Sequence, residues 1–425
     1  MKRPSMLLLF SVVFMDMVGF GFVIPILPNY IDRFGAPQMM VGMVLAVYAL
    51  GQFIAAPVVG ALSDRYGRKP LLLVSIGGTF LSLILLGLAR SLVLVFVSRL
   101  LDGLTGGNVT VAQSYITDIT DITDDEDRAR GLGLIGMAFG LGFILGPLFG
   151  GLLVSVSLAA PAFVAAGIAA VNLFLIGVVL PESLPPEARG EVRAVRLVDT
   201  DTLRRVVGMP GLRTILAMVF FYALAFNTFE TMFSPHSLAA FDMSARTRGF
   251  ILAYMGVLVA TIQGGLIGPL SRRFSERALV VTANVLLLAA LLGWAFVGSV
   301  AGLVAVIAPL SFGAAIQSVV QKTVLSKAAP DGMRGAVLGV STSLESINRV
   351  IAPMAGGYLL SNVATWAPGV FSAVVLIVPL VLAVAAPGDP WDAAAVSEPA
   401  RSEPARSEPD RQSGGHTPER LLPEE

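Results

Sequence analysis

The sequence predicts an all-α membrane protein, with twelve transmembrane helices in two pseudo-symmetric six-helix bundles. Three observations carry that expectation. Of the 425 residues, 55% are hydrophobic and only 14% charged, where a soluble protein carries about 25% charged residues; the mean hydropathy is +0.79. So much apolar surface cannot be hidden inside a water-soluble core. Apolar runs of the length needed to cross a bilayer, about 20 residues, recur from one end of the chain to the other. Finally, short motifs of the first half return in the second at offsets near 206–208 residues. Lipid cannot satisfy exposed backbone groups, so each apolar run is read as a helix.

The spans follow in order at about 5–30, 40–62, 71–89, 91–115, 130–154 and 160–180, then 212–234, 247–270, 278–297, 299–325, 335–360 and 366–386. The first run follows Met1-Lys2-Arg3, as a signal peptide would. No small-residue cleavage site follows, and the run continues to Tyr30, so it reads as an uncleaved first helix. Between the sixth and seventh spans lies the longest internal polar segment, 181–211, beginning Pro181-Glu182-Ser183. It divides the chain into an N-terminal bundle (1–180), a central cytoplasmic loop (181–211) and a C-terminal bundle (212–386). Beyond Pro387, Ser397-Glu-Pro-Ala-Arg repeats as Ser402-Glu-Pro-Ala-Arg and Ser407-Glu-Pro-Asp-Arg. Such a low-complexity, Pro-rich stretch (387–425) reads as a disordered cytoplasmic tail.

Lys and Arg set the orientation. One set of loops holds Lys2 and Arg3; Arg65, Arg68 and Lys69; Arg128 and Arg130; the Arg189–Arg213 segment; Arg272, Arg273 and Arg277; Lys327 and Arg334. The other set holds only Arg33, Arg90, Arg246 and Arg248. Both termini are therefore expected on the cytoplasmic side of a cell inner (plasma) membrane. The halves echo one another. Gly60-Ala-Leu-Ser-Asp-Arg-Tyr returns as Gly268-Pro-Leu-Ser-Arg-Arg-Phe, and Gly146-Pro147-Leu-Phe-Gly150-Gly151 as Ala352-Pro353-Met-Ala-Gly356-Gly357. Parallel six-helix repeats with Gly/Pro-interrupted helices suit a transporter with its site at mid-membrane between the halves, and disfavour a channel.

Composition also excludes functions. The formal net charge is +0, so the basic footprint of a nucleic-acid binder is missing. There is no Cys, and His236 and His416 stand alone, so neither a thiolate nor a metal cluster is available and no metal or cofactor is called for. A membrane enzyme would need a Ser-His or metal constellation that the chain lacks.

Six stretches carry candidate chemistry. Between the second and third spans runs Gly60-Ala-Leu-Ser-Asp64-Arg65-Tyr-Gly67-Arg68-Lys-Pro70. Gly67 can take the positive φ of a tight turn, and Pro70 suits a first helical position. Asp64 ends the second span, and Arg65 and Arg68 can reach Asp118 at the end of the fourth, in a cluster expected to lock the cytoplasmic side in the outward-open state. The first helix holds Asp16. An ionisable group in a membrane helix is a functional candidate by default, and a low dielectric favours a protonated carboxyl over its anion, as a proton carrier requires. The fourth holds Arg99, whose buried guanidinium needs water or an anion, and Asp102, three residues on, can pair with it. The fifth reads Gly142-Phe-Ile-Leu-Gly146-Pro147-Leu-Phe-Gly150-Gly151, glycines that permit close helix contact beside a kinking proline. The seventh holds Glu230, expected near its outer end, beside Phe226, Phe229 and Phe233 on one face; an acid among aromatics attracts an amphipathic cation. In the eleventh, Glu345 and Arg349, four apart with the acid first, suit a structural ion pair or a part in coupling.

The G-x-L-S-D-R-Y-G-R-K-P run resembles the loop 2–3 signature of the major facilitator superfamily, and the resemblance covers residues 5–386. The Asp16-to-Pro28 stretch resembles helix 1 of drug:proton antiporters, tetracycline pumps included. Arg99-Leu-Leu-Asp102-Gly resembles the family's helix 4 motif, whose Arg tunes proton movement. Gly142 to Gly151 resembles the signature of members that exchange substrate for protons. Phe229-Glu230-Thr-Met-Phe233-Ser resembles helix 7 of multidrug:proton antiporters. Tyr115-Ile-Thr-Asp118 also looks like tetracycline pumps, yet the chain has Ser82 where they carry an Asp in helix 3, and lacks their His in helix 8 and Asp in helix 9. The resemblance implies the major facilitator fold, no enzyme activity, and a monomer that moves a small amphipathic molecule against protons through the lipid bilayer. On this reading, Asp16, Arg99, Glu230, Glu345 and Arg349 serve coupling and substrate, and Phe226, Phe229 and Phe233 form the pocket. A tetracycline-selective pump and a sugar or metabolite exporter are the alternatives.

Overall fold

The computed structural model describes residues 3–119, 125–189, 200–330 and 332–385. Among these residues there is no strand, and twelve long helices follow one another. In the first half they are α1 (Arg3–Arg33), α2 (Met39–Tyr66), α3 (Arg68–Gly87), α4 (Leu92–Ile119), α5 (Asp125–Leu153) and α6 (Ala160–Val179). In the second they are α7 (Pro210–Phe241), α8 (Ala245–Arg273), α9 (Glu276–Phe296), α10 (Val300–Ala328), α11 (Arg334–Asn362) and α12 (Ala367–Ala385). Eleven are long and apolar enough to cross a membrane. The exception is α11, whose middle carries Ser341, Ser343, Glu345, Ser346, Asn348 and Arg349. It still holds its place because Ala352, Pro353, Gly356 and Gly357 are buried against other helices.

Local chemistry starts and stops these helices. Ser91, Ser244, Ser275 and Ser299 sit at the N-termini of α4, α8, α9 and α10, where each side chain accepts a backbone N–H of the first turn. Gly67 takes φ 103° between α2 and α3. There α3 starts at Arg68, so Pro70 is its third residue rather than its first. A break at Gly106 and Gly107 interrupts α4, and α8 passes through a π turn at Ile262–Leu266. The polar segment expected as a loop over 181–211 contains a short helix, Thr200–Val207, whose Val206 is buried beside Leu212 and Ile215 of α7. The side chains of Arg128 and Arg130 and the tail expected over 387–425 lie outside the described residues.

The two ends of the bundle are named here by the Lys/Arg asymmetry: a basic face and an opposite face. Each half has its own apolar core. Leu72, Ile76 and Tyr115 pack in the first half, and Phe229, Trp294 and Leu310 in the second. Toward the opposite face the halves meet along two seams of the same construction. At one, Gly42 of α2 lies so close to α11 that an added Cβ would fall on the Pro353 carbonyl oxygen and 3.4 Å from the Gly357 Cα. At the other, a Cβ on Gly249 of α8 would fall on the Pro147 carbonyl oxygen of α5 and 3.1 Å from the Gly151 Cα. The seams are copies under the internal repeat, since both pair a glycine with the carbonyl of the repeated proline. Toward the basic face the halves part.

Candidate transport site

Where the halves part there are two neighbouring cavities. The inner one, about 340 Å³, has walls from both halves: Tyr48 and Gln52 of α2, Phe139 and Phe143 of α5, Asn227, Glu230 and Thr231 of α7, Gln263 of α8 and Arg349 of α11. The second, about 630 Å³, widens toward the basic face between α2, α4 and α11 and reaches Thr202 and Leu203 of the short linker helix. Met17, Ala49, Gln52, Phe139 and Arg349 line both, so one passage leads from the basic face to Glu230. This wall is mostly apolar with a few polar groups, the usual make-up of a small-molecule site.

Glu230 lies in the wall of this central cavity, not near the outer end of its helix, because α7 is longer than expected and continues to Phe241. Asn227 and Thr231, four apart, line the cavity on either side of Glu230, so that side of α7 is polar and looks into the cavity. Arg349 is the charged group within electrostatic reach of Glu230. Among the described residues no ion pair joins Glu345 to Arg349. Both face water-accessible space: Glu345 lines only the wider cavity, whereas Arg349 reaches both. A hydrated passage removes the drive for two side chains to be held together.

The aromatic stripe requires a correction. Phe229 and Phe233 are fully buried in the core of the second half. Phe229 meets Trp294 edge-on at 4.9 Å, and Phe226 stacks on Tyr222 at 5.9 Å. None of the three lines the cavity. The rings that do are Phe20, Tyr48, Phe139 and Phe143, with Phe20 stacked on Tyr48 at 5.7 Å. Phe226, Phe229 and Phe233 share a face, as the sequence implies, but that face turns inward on its own bundle.

In the first half, Asn108 donates to Asp16 at 3.0 Å, and Arg99 pairs with Asp102 at 3.0 Å. Arg99 is 3% exposed, so it needs this anion. Tyr48 lies in the combined field of Asp16, Asp102, Arg99 and Arg349 and accepts a hydrogen bond from Gln52 at 3.3 Å. Asp16 and Asn108 form one hydrogen-bonded pair and Tyr48 and Gln52 another, the latter in the cavity wall. Ser82, by contrast, is fully buried and donates only to the Thr79 carbonyl.

The charged turn forms a cluster within the first half. Arg68 donates from Nε to Asp118 at 2.9 Å and from Nη1 to Ser63 at 2.6 Å and Asp64 at 2.5 Å. Arg65 takes no part; it lies over the Tyr66 ring at 5.3 Å. Of the two arginines expected at Asp118, Arg68 is the one that meets it, since the start of α3 points it back toward α4. A Cβ added at Gly60 would meet only the Thr110 methyl, at an ordinary 3.5 Å. Glu182 completes the group, its carboxylate accepting the backbone N–H of Arg68 at 2.8 Å and Lys69 at 3.2 Å, the unpaired donors at the start of α3. The cluster is intact with the basic face open, so here it does not close that face.

The glycines of α5 make contacts on two sides. An added Cβ on Gly146 would lie 2.7 Å from the Gly21 Cα, and one on Gly150 2.8 Å from the Phe22 Cα, both on α1. Gly142 packs on Met17, also of α1, while Gly151 and the Pro147 carbonyl meet Ala245 and Gly249 of α8. The motif holds α5 between its own half and the other.

Several residues here escaped the sequence reading. Gln52 and Asn108 are amides inside apolar helices, a signal that could have found them. Gly42 and Gly249 stand 207 positions apart, within the offset already visible for other motifs.

Comparison with known proteins agrees with this architecture. The Major Facilitator Superfamily family model matches residues 9–353 and 266–414. The chain is 32% identical over 377 residues to the tetracycline resistance protein, class C, of Escherichia coli, covering 86% of this chain and 92% of that protein. It is 26% identical over 403 residues to multidrug resistance protein 2 of Bacillus subtilis (strain 168), covering 93% and 98%. Among solved structures, the human organic anion transporter MFSD10 (TETRAN) superposes with a TM-score of 0.66 at 26% identity, over 90% of this chain and 99% of that one. Two repeated six-helix halves around a shared central cavity, together with the family match over most of the chain, establish that this multi-pass membrane protein belongs to the major facilitator superfamily of transporters.

Proposed function

We propose that the chain is a proton-coupled exporter of amphipathic drugs that works as a monomer by alternating access in a bacterial inner membrane. The basic face is then cytoplasmic, both termini lie on that side, and the structure is the inward-facing state. The observation that carries this reading is the passage from the basic face to a mixed apolar and charged cavity containing Glu230 and Arg349, sealed beyond by the two glycine seams. A drug enters from the cytoplasm and lays its apolar part against Phe20, Phe139 and Phe143, while Glu230 offsets the desolvation of its cation. Protons arriving from outside on Asp16 or Glu230 release the drug there, and their loss to the cytoplasm resets the carrier. The names of the relatives, tetracycline resistance and multidrug resistance proteins, support export of drugs. The test is a substrate panel on proteoliposomes with an imposed pH gradient: gradient-dependent movement of several unrelated amphipathic cations is expected, and none moving would contradict the reading. A tetracycline-selective pump is the second reading, favoured by the 32% identity to the class C protein; tetracycline moving alone would establish it.

The Arg68 cluster acts on the rate of the cycle in this scheme. Asp64 is exposed, so its ion pair contributes at most about 1 kcal/mol to stability, while Asp118 still holds Arg68. Asp64→Asn is expected to insert and accumulate like wild type yet slow transport strongly. Wild-type turnover would contradict this, and lost expression would indicate a stabilising role instead.

A further inference from the structure

The first turn of α8 holds a cation with no anion. Arg248 is 0% exposed, and no carboxylate pairs with it among the described residues. Its Nη2 donates to the Pro25 carbonyl of α1 at 3.0 Å and to the Asn29 side chain, and its Nη1 donates to the Ser234 carbonyl of α7 at 3.3 Å. Nε has no partner, nor have the buried hydroxyls of Ser234 and Ser237. The sequence reading saw Arg248 only as one of the few basic residues of the outer loops.

Placement gives this arrangement its meaning. Arg248 precedes Gly249, so consecutive residues of one turn grip both α1 and α5 of the other half: the guanidinium takes the Pro25 carbonyl and Asn29, and the glycine packs on Pro147. A buried guanidinium held by neutral oxygens alone is costly. That cost disappears when the seam opens and water reaches the group, so the contact is made strongly enough to close yet gives way readily. Ser234 and Ser237 lie four and seven residues beyond Glu230 on the same face of α7, so a polar stripe leads from the cavity acid to the latch.

We propose that Arg248 is a positioning residue for export: it latches the outer face shut in the inward-facing state by bridging α8 to α1, and it separates the Glu230–Ser234–Ser237 stripe from the outside. The inference rests on the alternating-access reading above.

The chain has no Cys, so Ser234→Cys supplies one thiol on that stripe. Labelling by a membrane-impermeant maleimide added from outside reports opening of the outer face. With Arg248 present, labelling is expected to be slow. Arg248→Gln is expected to raise the rate about tenfold by shifting the population outward, with turnover reduced and the drug Kd, measured in detergent, within about twofold of wild type. Arg248→Lys, which keeps the charge but not the fork, is expected to fall between. Asn29→Leu removes an acceptor and leaves the cation, so it reads the same latch if Arg248→Gln does not accumulate; faster labelling is expected there too. Unchanged labelling in the variants that accumulate would overturn the latch. Faster labelling in a protein that moves no drug would keep the latch and overturn the export reading instead.

Discussion

Glu230→Gln is expected to abolish export of lipophilic cations such as ethidium while leaving the protein folded in the membrane. The substitution keeps the size and shape of the side chain and removes its charge, in a cavity wall where Asn227 and Thr231 are the adjoining polar groups. An interaction with a charged partner contributes about 1.5–3 kcal/mol, so affinity for a cationic drug should fall about 10- to 100-fold. A neutral substrate gains little from that charge and is spared if Asp16 carries the coupling proton by itself. If Glu230 carries a proton as well, both classes fail together. Ethidium and tetracycline efflux, measured side by side at matched expression, separates these outcomes. Ethidium efflux at the wild-type rate would remove Glu230 from the site.

Gly249→Leu is expected to reduce export at least about tenfold by holding the outer seam apart. The added Cβ would fall on the Pro147 carbonyl oxygen, and the facing atom beyond it is the Gly151 Cα. These are backbone atoms of a packed helix and cannot swing aside. Overpacking of this kind costs about 1–3 kcal/mol. Because it is felt only where the halves touch, it acts on the balance between the inward- and outward-facing states. Gly42→Leu should behave the same way, since the second seam repeats the first against Pro353. Gly77→Ala is the control, because nothing lies within 4 Å of a Cβ there. Normal export in both seam variants would show that the glycines are incidental to the cycle.

Much of this was legible in the residues themselves. The spans follow from runs of apolar residues, and the two halves from motifs repeated at a constant offset. Gly146-Pro147 and Gly150-Gly151 announced a close contact because backbone can approach backbone only where side chains are missing. What stayed hidden was direction. On α7, Phe226, Phe229 and Phe233 stand beside Asn227, Glu230 and Thr231, and a helix buried on every side has no apolar stripe to tell core from cavity. The rings went to Trp294 in their own bundle, and the polar set took the cavity. Of Arg65 and Arg68, both expected at Asp118, only Arg68 meets it, because α3 begins at Arg68, a boundary that the loop's composition does not fix. Arg248 was counted as a loop charge, since burial of an unpaired cation leaves no mark on the local pattern.

The central claim is that drug entering the passage to Glu230 displaces protons held on Asp16 or Glu230, and drug-driven proton release tests it most directly. Purified protein in weakly buffered detergent solution, with its carboxyls protonated, is mixed with ethidium while the pH of the medium is followed. The account predicts a release of protons that saturates with drug concentration and is lost in Glu230→Gln. Saturable ethidium binding without any release of protons would contradict it.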